Sequence, residues 1–182
     1  MKQLLIPALL LAMLTACSTT DTSGGKGANV ETRDPQTKSA SDGTVNTSNL
    51  GASGLPSALT DPKNILSRRS IYFDLDKYEV KDDYRELLAA HAKFLNGNRQ
   101  FKVMIQGNTD ERGSREYNLS LGQKRAESVK RNLTLLGVNE DQLEAVSLGE
   151  EKPKAEGRDE AAYAENRRAD ILYKGPTGTG EF

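Results

Sequence analysis

Asp110, Glu111 and Arg112 put both signs of charge into three consecutive residues of the polar run Gln106–Gly113, which reads QGNTDERG. Asn118, Leu121 and Arg125 follow at i, i+3 and i+7, so one helix face carries all three. A carboxylate in a loop and a guanidinium two helical turns along suit a zwitterionic ligand. Asp would take an ammonium, and the Arg fork would take a carboxylate. The same pattern also suits a solvated charged loop beside a surface helix.

These groups need a rigid frame. The apolar stretch Phe101 to Ile105 reads as a strand that ends where the polar run begins. Ser114 is placed to cap a helix running from 114 to 136 and closed by Gly137. Its apolar stripe is read as Leu119, Gly122, Ala126, Val129, Leu133 and Leu136. The small Gly122 and Ala126 would let it lie close to a sheet, with Arg125 at the flank of the stripe. A first strand is expected over Ser70 to Asp74, and a helix over Lys81 to Leu95. Further strands are expected over Leu143 to Leu148 and Arg168 to Tyr173, with a short helix over Asp159 to Asn166. Strands alternating with helices point to an α/β or α+β sandwich.

The chain has 182 residues, with 25 Lys and Arg against 26 Asp and Glu, a net charge of −1. No segment is strongly basic, so a nucleic-acid partner is not expected. One cysteine, Cys17, excludes an internal disulfide, and one histidine argues against a Cys/His zinc site. No cofactor is expected. Met1-Lys2, the apolar run Leu4 to Leu14, then Thr15-Ala16-Cys17 have the architecture of a secretory signal over residues 1–16. Leu14-Thr15-Ala16-Cys17 resembles a bacterial lipobox. That resemblance makes Cys17 the mature N-terminus and the point of covalent lipid attachment. Ser18 stands where an Asp would resemble an inner-membrane retention signal, so an outer-membrane anchor is expected. Residues 17–58 are rich in Ser, Thr, Gly, Asn and Asp and read as a flexible linker. Such a coil averages about 35 Å end to end and reaches about 140 Å when stretched. The folded domain is expected over 59–174, followed by a disordered tail over 175–182.

Phe73-Asp74-Leu75-Asp76, the GNTDERG run, Tyr117-Asn118-Leu119 with Arg125-Ala126, Gly149-Glu150-Glu151-Lys152-Pro153 and Asn166-Arg167-Arg168-Ala169-Asp170 together resemble the OmpA-like C-terminal domain family. The resemblance covers residues 59 to 174. One departure is Asn108, where many relatives carry His. The resemblance implies an α+β domain, a four-stranded mixed sheet covered by helices. It also implies a non-catalytic periplasmic role, binding peptidoglycan through the meso-diaminopimelate of its stem peptides and so linking the outer membrane to the cell wall. Carried over by motif, Asp110 takes the ammonium and Arg125 the carboxylate. Asn118 and Leu121 line the same face, Phe73 and Asp74 close the site, and Arg112 adds a contact. Relatives also bind TolB, the propeller protein of the Tol system. Alanine at Asp110 or Arg125 is expected to abolish wall binding and to leave the fold intact.

Other residues invite other chemistry. Asp74 and Asp76 form a D-x-D after an apolar strand, similar to the nucleophile motif of haloacid-dehalogenase-type phosphatases. Tyr78 stands where that motif has Thr or Val. A lipid-anchored hydrolase using Asp74 with Asp110 or Glu111 as acid and base is the alternative function. His91 falls in an apolar stripe and is expected to be packed. Arg167 and Arg168 are expected to brace the domain through ion pairs.

Overall fold

The structure, a computed structural model, describes residues 55–181. The expected signal segment, Cys17 and nearly all of the expected linker lie outside the described residues. Four strands form one sheet: β1 (Ser70–Tyr72), β2 (Lys102–Asn108), β3 (Leu143–Gly149) and β4 (Arg168–Lys174), in the order β1-β4-β2-β3. β4 is antiparallel to both β1 and β2, while β2 and β3 are parallel. A parallel pair needs a crossover, and α3 (Arg115–Leu135) supplies it. The short α1 (Ser57–Thr60), α2 (Arg85–Gly97) and α4 (Glu160–Asn166) complete the fold. This is the expected α+β mixed sheet. The helix expected from Lys81 begins as a 3-10 turn at Asp82–Tyr84 before α2 takes over.

Strand alternation decides which face is covered. Ile71, Val103, Ile105, Ala169, Ile171 and Tyr173 all point to one buried face, where they meet Leu88, Leu95, Ala126, Val129 and Leu133 of α2 and α3. α3 begins as expected: Ser114 accepts a hydrogen bond from the Tyr117 amide at 3.2 Å. It ends in a Schellman turn. Gly137 adopts φ 90°, the Val138 amide donates to Leu133 O at 3.1 Å, and the Gly137 amide donates to Thr134 O at 2.9 Å.

α3 presses on β2 through two glycines. A Cβ at Gly107 would lie 1.9 Å from Gly122 O, and one at Gly122 would lie 2.3 Å from Ser147 Oγ. Gly107→Ala must therefore push helix from sheet. A loss of about 1–3 kcal/mol is expected in urea denaturation, and an unchanged midpoint would show that the helix floats free of this contact.

Three expectations need correction. Leu119 and Leu136 are exposed; the buried face of α3 instead runs through Asn118, Leu121, Gly122, Arg125, Ala126, Val129 and Leu133. The core begins before residue 59, since Leu55 and Pro56 are buried. The C-terminal segment is tied down through residue 181. Gly175 N–H donates to Thr179 O at 2.7 Å, Glu181 N–H donates to Tyr173 O at 2.9 Å, and the Glu181 carboxylate pairs with Arg69.

His91 is packed, as expected. Its Nδ1 is 2.8 Å from the Tyr173 hydroxyl and its Nε2 is 2.9 Å from Arg68 O. A carbonyl can only accept, so Nε2 carries the proton and Nδ1 accepts from Tyr173. Burial pushes its pKa down from 6.5 to about 4. In the unfolded chain the ring takes up a proton below about pH 6.5, whereas in the folded domain it resists. Stability is therefore fully present above pH 6.5 and falls as pH drops toward 4, by about 3 kcal/mol in total. Urea melts of the protein and of His91→Gln at pH 7 and pH 4.5 check this. The variant should lose much less on acidification.

Candidate functional site

The site forms at the end of β2, where the chain leaves the sheet. Arg125 is fully buried on α3. Its Nε donates to Lys77 O at 2.9 Å, Nη1 to Asn108 O at 2.8 Å and Nη2 to Asp74 O at 3.3 Å. The guanidinium carbon lies 5.3 Å from the centre of the Phe73 ring. Backbone oxygens from two loops thus seat the fork, with no carboxylate bonded to it among the described residues. Burial lowers its pKa to about 10, while the charge of Asp110 works the other way.

Asp110 is almost wholly buried beside it. Its Oδ2 accepts from Arg112 Nη2 at 2.7 Å and from Arg167 Nη1 at 3.2 Å, and its Oδ1 accepts from the Arg112 amide at 3.2 Å. Burial pushes this carboxyl up, but the hydrogen bonds from Arg112 and Arg167 together outweigh it and hold the group below the usual carboxylate range. Arg167 is fixed in turn by Glu160 at 2.7 Å and Phe73 O at 3.2 Å. The Arg112 side chain is much more exposed than Arg167 and lies over the Tyr163 ring at 4.3 Å. Of the two arginines on Asp110, Arg112 is the one free to leave.

Asp110, Arg112, Asn118, Leu121 and Arg125 line one shallow depression, together with Leu75, Asp76, Thr109 and Arg167. Loop and helix, separate in sequence, meet here. Phe73 and Asp74 do not line it. Phe73 is packed beneath Arg125. Asp74 gives only its carbonyl, and its carboxylate turns outward to Lys81 at 2.6 Å. Leu75 and Asp76 take the place expected for Phe73 and Asp74, and Tyr117 donates to Asp76 at 3.2 Å. Besides Leu75, Asp76 and Thr109, the lining residue that spacing missed is Arg167. Its signal lay in the Asn166-Arg167-Arg168 run, where two adjacent arginines stand at the start of β4.

A general acid needs a raised pKa and a base within reach of it. Asp74 is lowered, first by its hydrogen bond to Lys81, and Asp110 is lowered as well. Glu111 is engaged outside the depression, accepting from Tyr163 at 3.2 Å and pairing with Arg158 at 3.3 Å. These carboxylates do not converge on one point. Among the described residues, no group of three or more His, Cys, Asp or Glu is placed to hold a metal ion.

Residues 72–167 match the OmpA family. The peptidoglycan-associated lipoprotein of Pasteurella multocida is 52% identical over 104 residues, 57% of this chain and 69% of that protein. That of Pseudomonas aeruginosa is 39% identical over 167 residues, 90% of this chain and 93% of that protein. The crystal structure of the peptidoglycan-associated lipoprotein from Burkholderia pseudomallei superposes with a TM-score of 0.63 at 59% identity, covering 64% of this chain and 99% of that one. The C-terminal domain of Helicobacter pylori MotB, at 22% identity and a TM-score of 0.55, covers 59% of this chain and 84% of its own and shares the fold alone.

Proposed function

Since the chain belongs to the OmpA family and, within it, to the peptidoglycan-associated lipoproteins, we propose that it is a non-enzymatic envelope lipoprotein that binds peptidoglycan. Cys17 carries the lipid that anchors it to the outer membrane, with the domain facing the periplasm. The ligand is the free end of meso-diaminopimelate in a stem peptide, and the bound domain ties the membrane to the wall. TolB is its protein partner in the Tol-Pal envelope and cell-division system.

One observation supports this above the others: a buried carboxylate and several guanidinium groups share a small depression that opens to solvent. In the proposed mode the ligand's ammonium takes the place of the Arg112 head at Asp110. The freed Arg112 and the remaining N–H donors of Arg125 take the ligand's carboxylate. Arg167 stays on Asp110 and keeps that side chain aimed. Nothing is cleaved: binding is an exchange of one ion pair inside the protein for two with the wall.

Calorimetry against two soluble muropeptides tests the reading. One carries meso-diaminopimelate. The other carries lysine in its place and so lacks the distal carboxylate. Losing one charge-assisted contact should weaken binding about 10- to 100-fold. Equal affinity for the two would mean that the depression does not read the carboxylate.

A further inference from the structure

The depression has two kinds of neighbour, and they differ in charge. On one side Thr109 also lines a second depression with Glu111, Glu150, Glu156 and Arg158. Beside that, next to Asn118, lies a cleft with Arg115, Glu116, Glu150 and Glu151 around Leu119 and Leu148. Arg158 is paired with Glu111 at 3.3 Å and Arg115 with Glu151 at 2.7 Å. Arg115 also acts on Glu116, and Glu150 accepts a hydrogen bond from the Asn118 side-chain amide, so Glu150 and Glu156 are the carboxylates of this wall with no salt bridge among the described residues. On the other side, between residues 78–80 and α3, Glu79 and Glu127 are balanced by Lys124 and Arg131.

A stem peptide leaves bound diaminopimelate in two directions, and their charges differ too. Toward the glycan comes a γ-linked D-glutamate, whose α-carboxylate is free. Away from it comes D-alanine, which ends either in a carboxylate or in an amide to a neighbouring stem. The glutamate carboxylate is best placed on the balanced side. D-Alanine then faces the acidic wall, where a free carboxylate is repelled by Glu150 and Glu156 and a neutral amide is not. Thr109 sits where the two depressions meet. It is buried, and its Oγ1 has no hydrogen-bond partner, so a peptide amide would give that hydroxyl the bond it lacks.

We propose that the acidic wall formed by Glu150 and Glu156 beside Thr109 makes the site selective for stems whose D-alanine is amide-linked to a neighbouring stem, over stems that end in a free D-alanine carboxylate. This rests on the diaminopimelate reading above. It makes the ligand the donor stem of a crosslink, the one whose own diaminopimelate end stays free.

The test uses the mature chain and a single chemical change. Two tetrapeptide muropeptides with meso-diaminopimelate are compared by calorimetry, one ending in D-alanine carboxylate and one in D-alanine carboxamide. The carboxamide should bind about three- to tenfold more tightly at low ionic strength, and the gap should close in high salt. In the variant Glu156→Gln the gap should shrink to less than about twofold. Glu156 is exposed and lies outside the ion-pair cluster around Asp110. Equal affinity in the unaltered protein, a preference for the carboxylate, or a gap that survives in the variant overturns the proposal and leaves the diaminopimelate reading standing. Binding of neither compound removes both.

Discussion

Arg125→Ala should cost the domain about 3–5 kcal/mol of stability and remove muropeptide binding with it. The sequence suggests a ligand residue that can be cut away cleanly, but the structure makes it a brace as well. Three carbonyls, of Asp74, Lys77 and Asn108, accept from its guanidinium, and all three lose their donor together. The cavity left under α3 adds to the loss. A variant that merely unfolds would say little about binding, so Arg125→Lys is the informative partner. Lysine keeps the charge but cannot present a planar fork. It should retain most of the fold, with affinity for the diaminopimelate muropeptide lowered at least about tenfold. Urea denaturation and calorimetry on the same preparations separate the two effects. An alanine variant with an unshifted midpoint would show that the carbonyls find other donors.

Asp110→Asn should weaken muropeptide binding at least about 100-fold, since the buried, hydrogen-bonded charge proposed to face the ligand ammonium is lost. Asparagine keeps the shape and can still accept one hydrogen bond, but it leaves Arg112, Arg125 and Arg167 together without their shared carboxylate. Arg167 retains Glu160 and Phe73 O, so the frame should hold, with a stability loss of about 1–3 kcal/mol. Near-UV circular dichroism checks the frame and calorimetry the affinity. If Asp110→Asn bound the muropeptide as well as the unaltered protein, the ammonium would have to be held elsewhere. The pH dependence follows from the lowered pKa. The stability that this carboxylate contributes is present above its unfolded value near 4 and is lost as pH falls through the lower folded value.

What could be read in advance was whatever local chemistry dictates. Ser114 as cap and Gly137 as stop set the ends of α3, and both do so through backbone bonds that need no tertiary partner. The face of α3 was harder, because apolar period cannot see buried polar groups. Asn118 and Arg125 are buried for the sake of the site, so the true stripe rotates toward them and leaves Leu119 outside. Phe73 and Asp74 were expected to close the site, yet Phe73 packs beneath Arg125 and both lend carbonyls, which every residue has and no residue type announces. The C-terminal segment looked too rich in Gly and Thr to order itself. Its order comes from residues far away in sequence: Arg69 reaches Glu181, and the close approach of Gly180 to Tyr173 O leaves no room for a side chain.

The strand order also sets when the protein becomes competent. β2, α3 and β3 form a compact unit of neighbouring sequence, which can assemble early. Among the described residues β1 pairs only with β4, Ser70 opposite Asp170, and no other strand pairing there spans as much sequence. The two carbonyls that seat Arg125 from the 74–77 loop follow β1 directly, and Arg167 directly precedes β4. Until β1 and β4 pair, the chain should therefore lack both the loop carbonyls that seat Arg125 and the second arginine on Asp110.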